Sequence, residues 1–485
     1  MSPKLILLSF LTYTLLLFII SWITSRKAGN EAFFVGNRVS PWIVVAYGMI
    51  GTSLSGVTFI SVPGWVGTTQ FSYMVVVFGY ILGYFTIATV LLPLYYRLKL
   101  TSIYTYLEKR FGFWSYKTGA FYFLLSRIIG ASFRMFLVVN VLQLFVFDAW
   151  GVPFWVTVTI FMILILLYTF KGGIKTIVWT DTLQTTFMLL AVVFSVVVIV
   201  RHLNTNFSEI SAQVFNSDYS EMFFYKWQDK RFFLKQFFSG VFIAIVMTGL
   251  DQDMMQKNLS CRNLKDAQKN MISLSFILVF VNLLFLFLGA VLYIYTNSKG
   301  ITIPDLTDDL FPTVALKYLG TFAGVIFIIG LISAAYSSAD SALTALTTSF
   351  SIDFLGFNKN KDLSEKRKIK IRYIVHFCIA TLVIFVIVIF RVINDQAVIS
   401  KLFTIAGYTY GPLLGMFAFG LFTKKSIKDK WVPIVALISP VICYIISENS
   451  EKWLNGYKFG FELLILNGII TFVGLYLIKN RFVRK

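Results

Sequence analysis

Thirteen stretches of about 17 or more largely apolar residues run the length of this chain, near residues 4–24, 41–66, 72–96, 118–147, 152–170, 177–200, 234–254, 271–296, 314–350, 373–391, 397–422, 431–447 and 460–478. About twenty apolar residues wound into a helix cross the hydrocarbon layer of a bilayer, so each stretch is read as a transmembrane helix, some with tilt. The longest polar gap, residues 202–231, is too short to bury a core of its own. With 57% apolar and only 14% charged residues there is too little polar surface to cover a soluble domain. The chain therefore reads as an all-α polytopic protein of the lipid bilayer, a single transmembrane unit with no soluble domain appended.

A net charge of +20 raises the question of a nucleic-acid partner, but the placement of the basic residues follows the membrane. Counting alternate connections from the C-terminus, one side holds 29 of the 43 Lys and Arg residues, among them Arg26, Lys27, Arg97, Lys171, Lys257, the run from Lys359 to Arg372 and the tail from Lys479. The positive-inside rule makes that side cytoplasmic, with an external N-terminus, an internal C-terminus and an odd number of spans. This pattern suits a bacterial inner membrane and a eukaryotic plasma membrane equally. No nucleic acid and no obligate protein partner is implied. The first segment is followed by Ser25-Arg26-Lys27 rather than a small-residue cleavage site, and is read as retained. Three cysteines and two histidines lie scattered without ligand spacing, so neither a disulfide framework nor a zinc site is expected.

Between Gly330 and Phe354, Ser333, Ser337, Ser341, Thr344, Thr348 and Ser351 recur at steps of three and four, which puts their hydroxyls on one helical face among small alanines. Hydroxyl-mediated helix packing explains such a stripe, and so does an ion path. Asp340 sits within it, and Asp181 lies at the start of the sixth segment; acids at membrane depth mark function unless they pair internally. Two segments carry interruptions: Val44 to Trp65, with Gly51, Gly56, Pro63 and Gly64, and Gly240 to Asp253, five segments later. Unwound backbone survives in a membrane only against protein, water or a bound ion, and paired breaks in matching halves point to an inverted-repeat transporter. Sodium, a hard cation, suits carbonyls from the loosened turn at Gly51 to Leu54 and the hydroxyls of Ser337 and Ser338.

The phrases GTSLSGVTFISVPGW, TSIYTYLEKRFG, KGGIKTIVWTDTLQ, SSADSALTALTTSFSIDF and GPLLGMFAFGLFTKK, in order along nearly the whole chain, resemble the sodium:solute symporter family of sodium/glucose, sodium/proline and sodium/sialic acid carriers. The resemblance implies the leucine-transporter fold, a 5+5 inverted repeat of about 13 helices. Residues 41–200 and 234–422 would be the repeats, 4–24 an extra first helix and 431–478 two last ones. It implies a sodium-coupled symporter, not an enzyme, importing a small solute by alternating access. The family's main sodium site falls on the carbonyls of Gly51, Leu54 and Ala334 and the hydroxyls of Ser337 and Ser338. A second ion site falls on Asp181, Asp340 and Ser341, with a carboxylate at 340 where relatives usually carry Ser or Thr. Asp340 is expected to strengthen a second sodium site; a proton site is the alternative, because adjacent carboxylates repel.

For the solute, the positions that bind sugar in relatives fall near Val77, Ala244 and Phe403, all apolar, which disfavours a hexose. Arg127 and Arg134, seven residues apart on one face, flank Gly130, the position that holds an arginine in sialic acid carriers. They suggest a carboxylate-bearing solute, or else an internal ion pair with Asp251, Asp253 or Asp340. Ser53, Ser55, Thr58, Phe78, Thr248 and Tyr408 would line the cavity. Two other readings stay open: a membrane enzyme acting on lipid-linked substrates with Asp251 and Asp253 as metal ligands, and a sensor.

Overall fold

The computed structural model describes residues 2–24, 30–169, 173–357, 359, 363–393 and 397–480. Ser25, Arg26, Lys27, Lys171, Lys361 and the basic residues after Asn480, counted above, lie outside them. The helices used below are α1 (Pro3–Thr24), α2 (Trp42–Thr69), α3 (Tyr73–Thr86), α4 (Phe113–Leu142), α5 (Phe154–Thr169), α6 (Ile174–His202), α7 (Phe233–Ala244), α8 (Gln252–Asn258), α9 (Leu264–Lys299), α10 (Gly320–Ser349), α11 (Glu365–Ile393), α12 (Val398–Phe422), α13 (Val432–Glu448) and α14 (Leu463–Leu477).

Nine helical stretches among the described residues are long and apolar enough to cross a bilayer. One of them, Trp42–Arg97, runs 56 residues, about 84 Å if straight at about 1.5 Å per residue, far beyond a bilayer about 30 Å thick. It turns back at Gln70, whose φ of 50° ends α2. Met49 and Pro63 of α2 lie beside Asn270 and Gly289 of α9, whereas Phe85 and Ala88 lie beside Phe276 and Gln268, so the chain reverses along α9. The bent pair α7 and α8 and the shorter apolar helices α5 and α14 complete the crossings that hydropathy expects. Several starts differ: α11 begins at Glu365 rather than 373, α9 at Leu264 rather than 271 and α4 at Phe113 rather than 118. The segment expected from 314 starts its straight run at Gly320, whose φ of +83° follows a wide π-helical turn at Val314–Tyr318.

Small residues set how closely these helices approach. A Cβ on Gly79 would meet the Phe237 carbonyl at 2.1 Å, and one on Gly240 the Val76 carbonyl at 2.0 Å, so α3 and α7 touch backbone to backbone. From Leu331 to Ser349 every residue of α10 is buried. This helix packs against α1, α2, α4, α5, α6, α8 and α11 and forms the axis of the molecule.

Candidate functional site

Both expected interruptions are present; the first falls on none of the glycines or the proline that suggested it, and the second follows Gly249. In α2 the break is at Ser55, at φ 55° and ψ 179°. Gly56 instead admits α4, since a Cβ there would crowd Val138 and the Arg134 carbonyl at 3.2 and 3.3 Å. Pro63 and Gly64 continue the helix and press against Gly289 and the Thr307 carbonyl. The second break comes after Gly249, where α8 leaves α7 at 69°. Asp251 holds that bend: its Oδ1 accepts from the backbone N–H groups of Asp253 and Met254 at 2.9 and 3.4 Å, an N-cap.

A ladder interrupted at Ser55 leaves carbonyls of the preceding turn, Gly51 to Leu54, in need of other partners. That turn faces the hydroxyls of α10. Ser337 Oγ lies 3.3 Å from Thr52 Oγ1, and a Cβ built on Gly51 would also be 3.3 Å from it. Ser338 donates to the Ala334 carbonyl at 3.2 Å, so these two oxygens sit side by side. The residues expected to hold sodium are thus gathered where two helices meet, and all their donors are hard, uncharged oxygens that fit it. Gly51 is irreplaceable here. Its N–H donates to Thr185 Oγ1 at 3.1 Å, and a methyl at its Cα would come within 2.4 Å of that oxygen. Gly51→Ala is expected to cost about 1–3 kcal/mol and to raise the sodium concentration needed for thermal stabilisation, which a sodium titration of Tm measures.

The rest of the stripe is divided. Ser333 and Thr348 donate to carbonyls one turn back at 2.7–2.8 Å, and Thr348 also accepts from Gln256 at 2.9 Å, whereas the buried hydroxyls of Ser341, Thr344 and Ser351 have no partner among the described residues.

The second ion site is assembled differently from the expectation. Asp181 is buried where Gly48 lets α2 and α6 touch. Its Oδ1 accepts from Ser337 at 2.9 Å, and its Oδ2 accepts from Thr52 at 3.1 Å and from the Lys257 ammonium at 2.5 Å. Lys257, only 1% exposed, also donates to Thr52 Oγ1. Asp340 takes other partners, Tyr168 Oη at 2.8 Å and the Ser341 N–H at 2.6 Å. The two acids expected to share a cation therefore have separate donors.

Beyond the Ser55 break lies a central cavity of about 70 Å³, room for roughly five waters at about 10–15 Å³ each. Ser53, Ser55, Thr58, Arg127, Arg134 and Thr248 line it, as expected. Phe78 and Tyr408 do not. The cavity face of α3 is Tyr73, Tyr80 and Tyr84, and Phe78, two positions from Tyr80, points the opposite way. On α12 the cavity face is Ile399, Leu402 and Phe403. Tyr408 is turned about 140° from Phe403, its ring 6.1 Å from Tyr444 and its carbonyl held by Asn467 at 2.9 Å. The two arginines also part. Arg127 pairs with Asp253 and lies 3.8 Å from Asp251, which Tyr410 bonds at 2.5 Å. Arg134 makes no ion pair among the described residues, and its Nε is buried without a partner, as is Asn282 Oδ1 across the cavity. Asp251 and Asp253 are thus committed to a cap and an ion pair, and no cluster of three metal-ligating side chains occurs among the described residues.

The cavity is closed unequally. Toward the end carrying Arg97 and Lys99, hydrogen bonds seal it: Gln252 to Ile103 and Thr101 at 3.0 and 2.7 Å, Tyr95 to Gly249 at 2.8 Å, Tyr104 to Leu250 at 2.9 Å. Toward the opposite end only rings intervene, Trp65, Tyr73, Phe403 and Phe461 at centroid spacings of 4.7–6.2 Å. Above them opens a vestibule of about 560 Å³ with Lys230, Lys458 and the ion-paired Asp229 and Arg231 on its wall. Sequence reasoning missed the tyrosine face, Asn282 and Lys257. The spacing of Tyr73, Tyr80 and Tyr84, seven and four, was the available signal for the first; Lys257 looked like a lysine placed by topology or, in the enzyme reading, a phosphate binder near Asp251 and Asp253.

The profile of the sodium:solute symporter family matches residues 33–429. The chain is 23% identical over 444 residues to the sodium/sialic acid symporter SiaT of Proteus mirabilis, covering 90% of this chain and 87% of that one. It is 23% identical over 464 residues to the sodium/sialic acid symporter NanT of Aliivibrio fischeri, covering 94% and 89%. The sodium-coupled monocarboxylate transporter 1 of Mus musculus is 26% identical over 81% of this chain and 64% of its own. Among solved structures, a substrate-bound, outward-open sodium-coupled sialic acid symporter superposes with a TM-score of 0.83 at 19% identity, over 99% of each chain. A nucleobase-cation-symport-1 family transporter superposes at 0.56 and 15% identity, over 91% of this chain and 92% of its own. These neighbours share the leucine-transporter type of fold.

Proposed function

Because this chain belongs to the sodium:solute symporter family, we propose that it imports a small carboxylate-bearing organic solute, driven by sodium bound at Gly51, Leu54, Ala334, Ser337 and Ser338. The observation that carries the solute class is Arg134, a guanidinium facing the central cavity with no acid paired to it. A buried unpaired cation is costly, and a substrate carboxylate supplies the missing charge and planar acceptor geometry. Arg127, neutralised by Asp251 and Asp253, is a structural neighbour rather than a second anchor. Thr58, Thr248, Asn282 and the tyrosine face would hold the remaining polar groups of the solute.

Sodium at the junction of α2 and α10 stabilises the arrangement in which the cavity is reached through the aromatic layer. Solute bound below that layer then permits the hydrogen-bonded end to part. Residues 41–200 and 234–422 would be the two repeats that rock, with 4–24 and 431–478 outside them. The N-terminus is external and the C-terminus cytoplasmic in this reading, supported by the 29 basic residues on one side, and the bacterial relatives favour a bacterial inner membrane.

Reconstituted into liposomes, the protein is expected to accumulate labelled small organic acids under an inward sodium gradient at least tenfold over a potassium gradient. Their neutral amides should not compete. Uptake of neutral sugars with no inhibition by acids would overturn the solute class.

A further inference from the structure

The lysine at the second acid carries one more step, which rests on sodium coupling. We infer that the Lys257 ammonium is a tethered cation that fills the position beside Asp181, so that this chain couples one sodium rather than two. Three observations converge on it. Lys257 Nζ is 2.5 Å from Asp181 Oδ2 and also donates to Thr52, so it occupies the side of the carboxylate that a free cation would use. The remaining oxygen, Oδ1, accepts from Ser337, a ligand of the sodium site next door. Asp340 is turned to Tyr168 and to the Ser341 N–H instead of toward Asp181.

Charge balance agrees. With both carboxyls ionised, Asp181 and Asp340 bring two negative charges into a buried cluster and Lys257 one positive. One sodium among the uncharged oxygens of Gly51, Leu54, Ala334, Ser337 and Ser338 makes the cluster neutral. A second sodium would leave a net positive charge in a low-dielectric interior and would meet the ammonium at the same carboxylate. Lys257 rides on α8, beyond the second break, while Asp181 and Thr52 belong to α6 and α2. The tethered cation therefore also ties the bent helix to the helices that line the sodium site.

The test is radioactive sodium bound at equilibrium per chain of purified protein, beside the sodium dependence of uptake. Wild type is expected to bind one sodium, with a Hill coefficient near one. Lys257→Gln, which leaves Asp181 without its cation, is expected to bind two. Should that variant fail to fold, the charge-neutral Asp181→Asn, Lys257→Gln pair decides, because it is expected to bind one sodium like wild type. Two sodium ions on wild type, or a double variant that binds one fewer than wild type, would overturn the tethered cation. Wild type binding none at all would instead overturn the sodium site itself.

Discussion

Replacing Ser337 and Ser338 together by alanine is expected to raise the sodium concentration for half-maximal uptake by about a hundredfold or more, with solute uptake at physiological sodium falling to background. Ser337 faces the turn before Ser55 and Ser338 lies beside the Ala334 carbonyl, and removing both hydroxyls strips two of the five proposed oxygens from the ion. Each bond to a charged partner is worth about 1.5–3 kcal/mol, so losing two costs at least about 3 kcal/mol, and about 1.4 kcal/mol is a tenfold change. The fold should survive, because Ser338 only back-bonds within its own helix and Ser337 gives up a single donation to Asp181. Sodium titration of uptake in liposomes, with Tm in the absence of sodium as the folding control, reads both. Unchanged sodium affinity in the double variant would place the ion elsewhere.

The two arginines should part in the opposite sense, although sequence pairs them. Arg127→Gln breaks a buried ion pair and leaves Asp253 and Asp251 uncompensated, which costs about 3–5 kcal/mol and should lower Tm and yield sharply. Arg134→Gln removes a buried charge that has no ion-pair partner among the described residues, so Tm in the absence of solute should stay the same or rise. Solute affinity should fall about 10- to 100-fold, the worth of one charge-assisted hydrogen bond at about 1.5–3 kcal/mol. Sodium binding without solute should be untouched. If Arg134→Gln unfolds the protein and Arg127→Gln weakens only the solute, their roles are exchanged.

The crossings were legible because hydropathy at membrane depth is a local signal, set by the cost of exposing polar groups to hydrocarbon. Their breaks were legible as regions but not as residues. Glycine marks either a bend or a close approach, and in α2 the glycines serve approach, to Thr185 at Gly51 and to α4 at Gly56, while Ser55 takes the strained angle. The residues proposed to hold sodium could be named from sequence because they lie within two short segments of recognisable pattern. What failed was the direction of single side chains and the pairing of distant ones. Phe78 and Tyr408 belong to the right helices on the wrong faces, as counting in steps of 3.6 from Tyr80 and Phe403 makes plain. Lys257 meets Asp181 from 76 positions away, and Arg127 meets Asp253 from a helix beyond the second break. Only the folded chain brings those charges together, and their pairing gives Asp181 an ammonium and leaves Arg134 without an acid among the described residues.

The most direct test of coupling between the sodium site and Arg134 is the Tm of the purified protein with a panel of small carboxylates, sugars and neutral amides, in sodium and in potassium. The expected result is a shift that needs both sodium and a carboxylate, lost in the Ser337→Ala, Ser338→Ala variant and in Arg134→Gln. A carboxylate that stabilises equally in potassium, or a panel on which sodium has no effect, would contradict it.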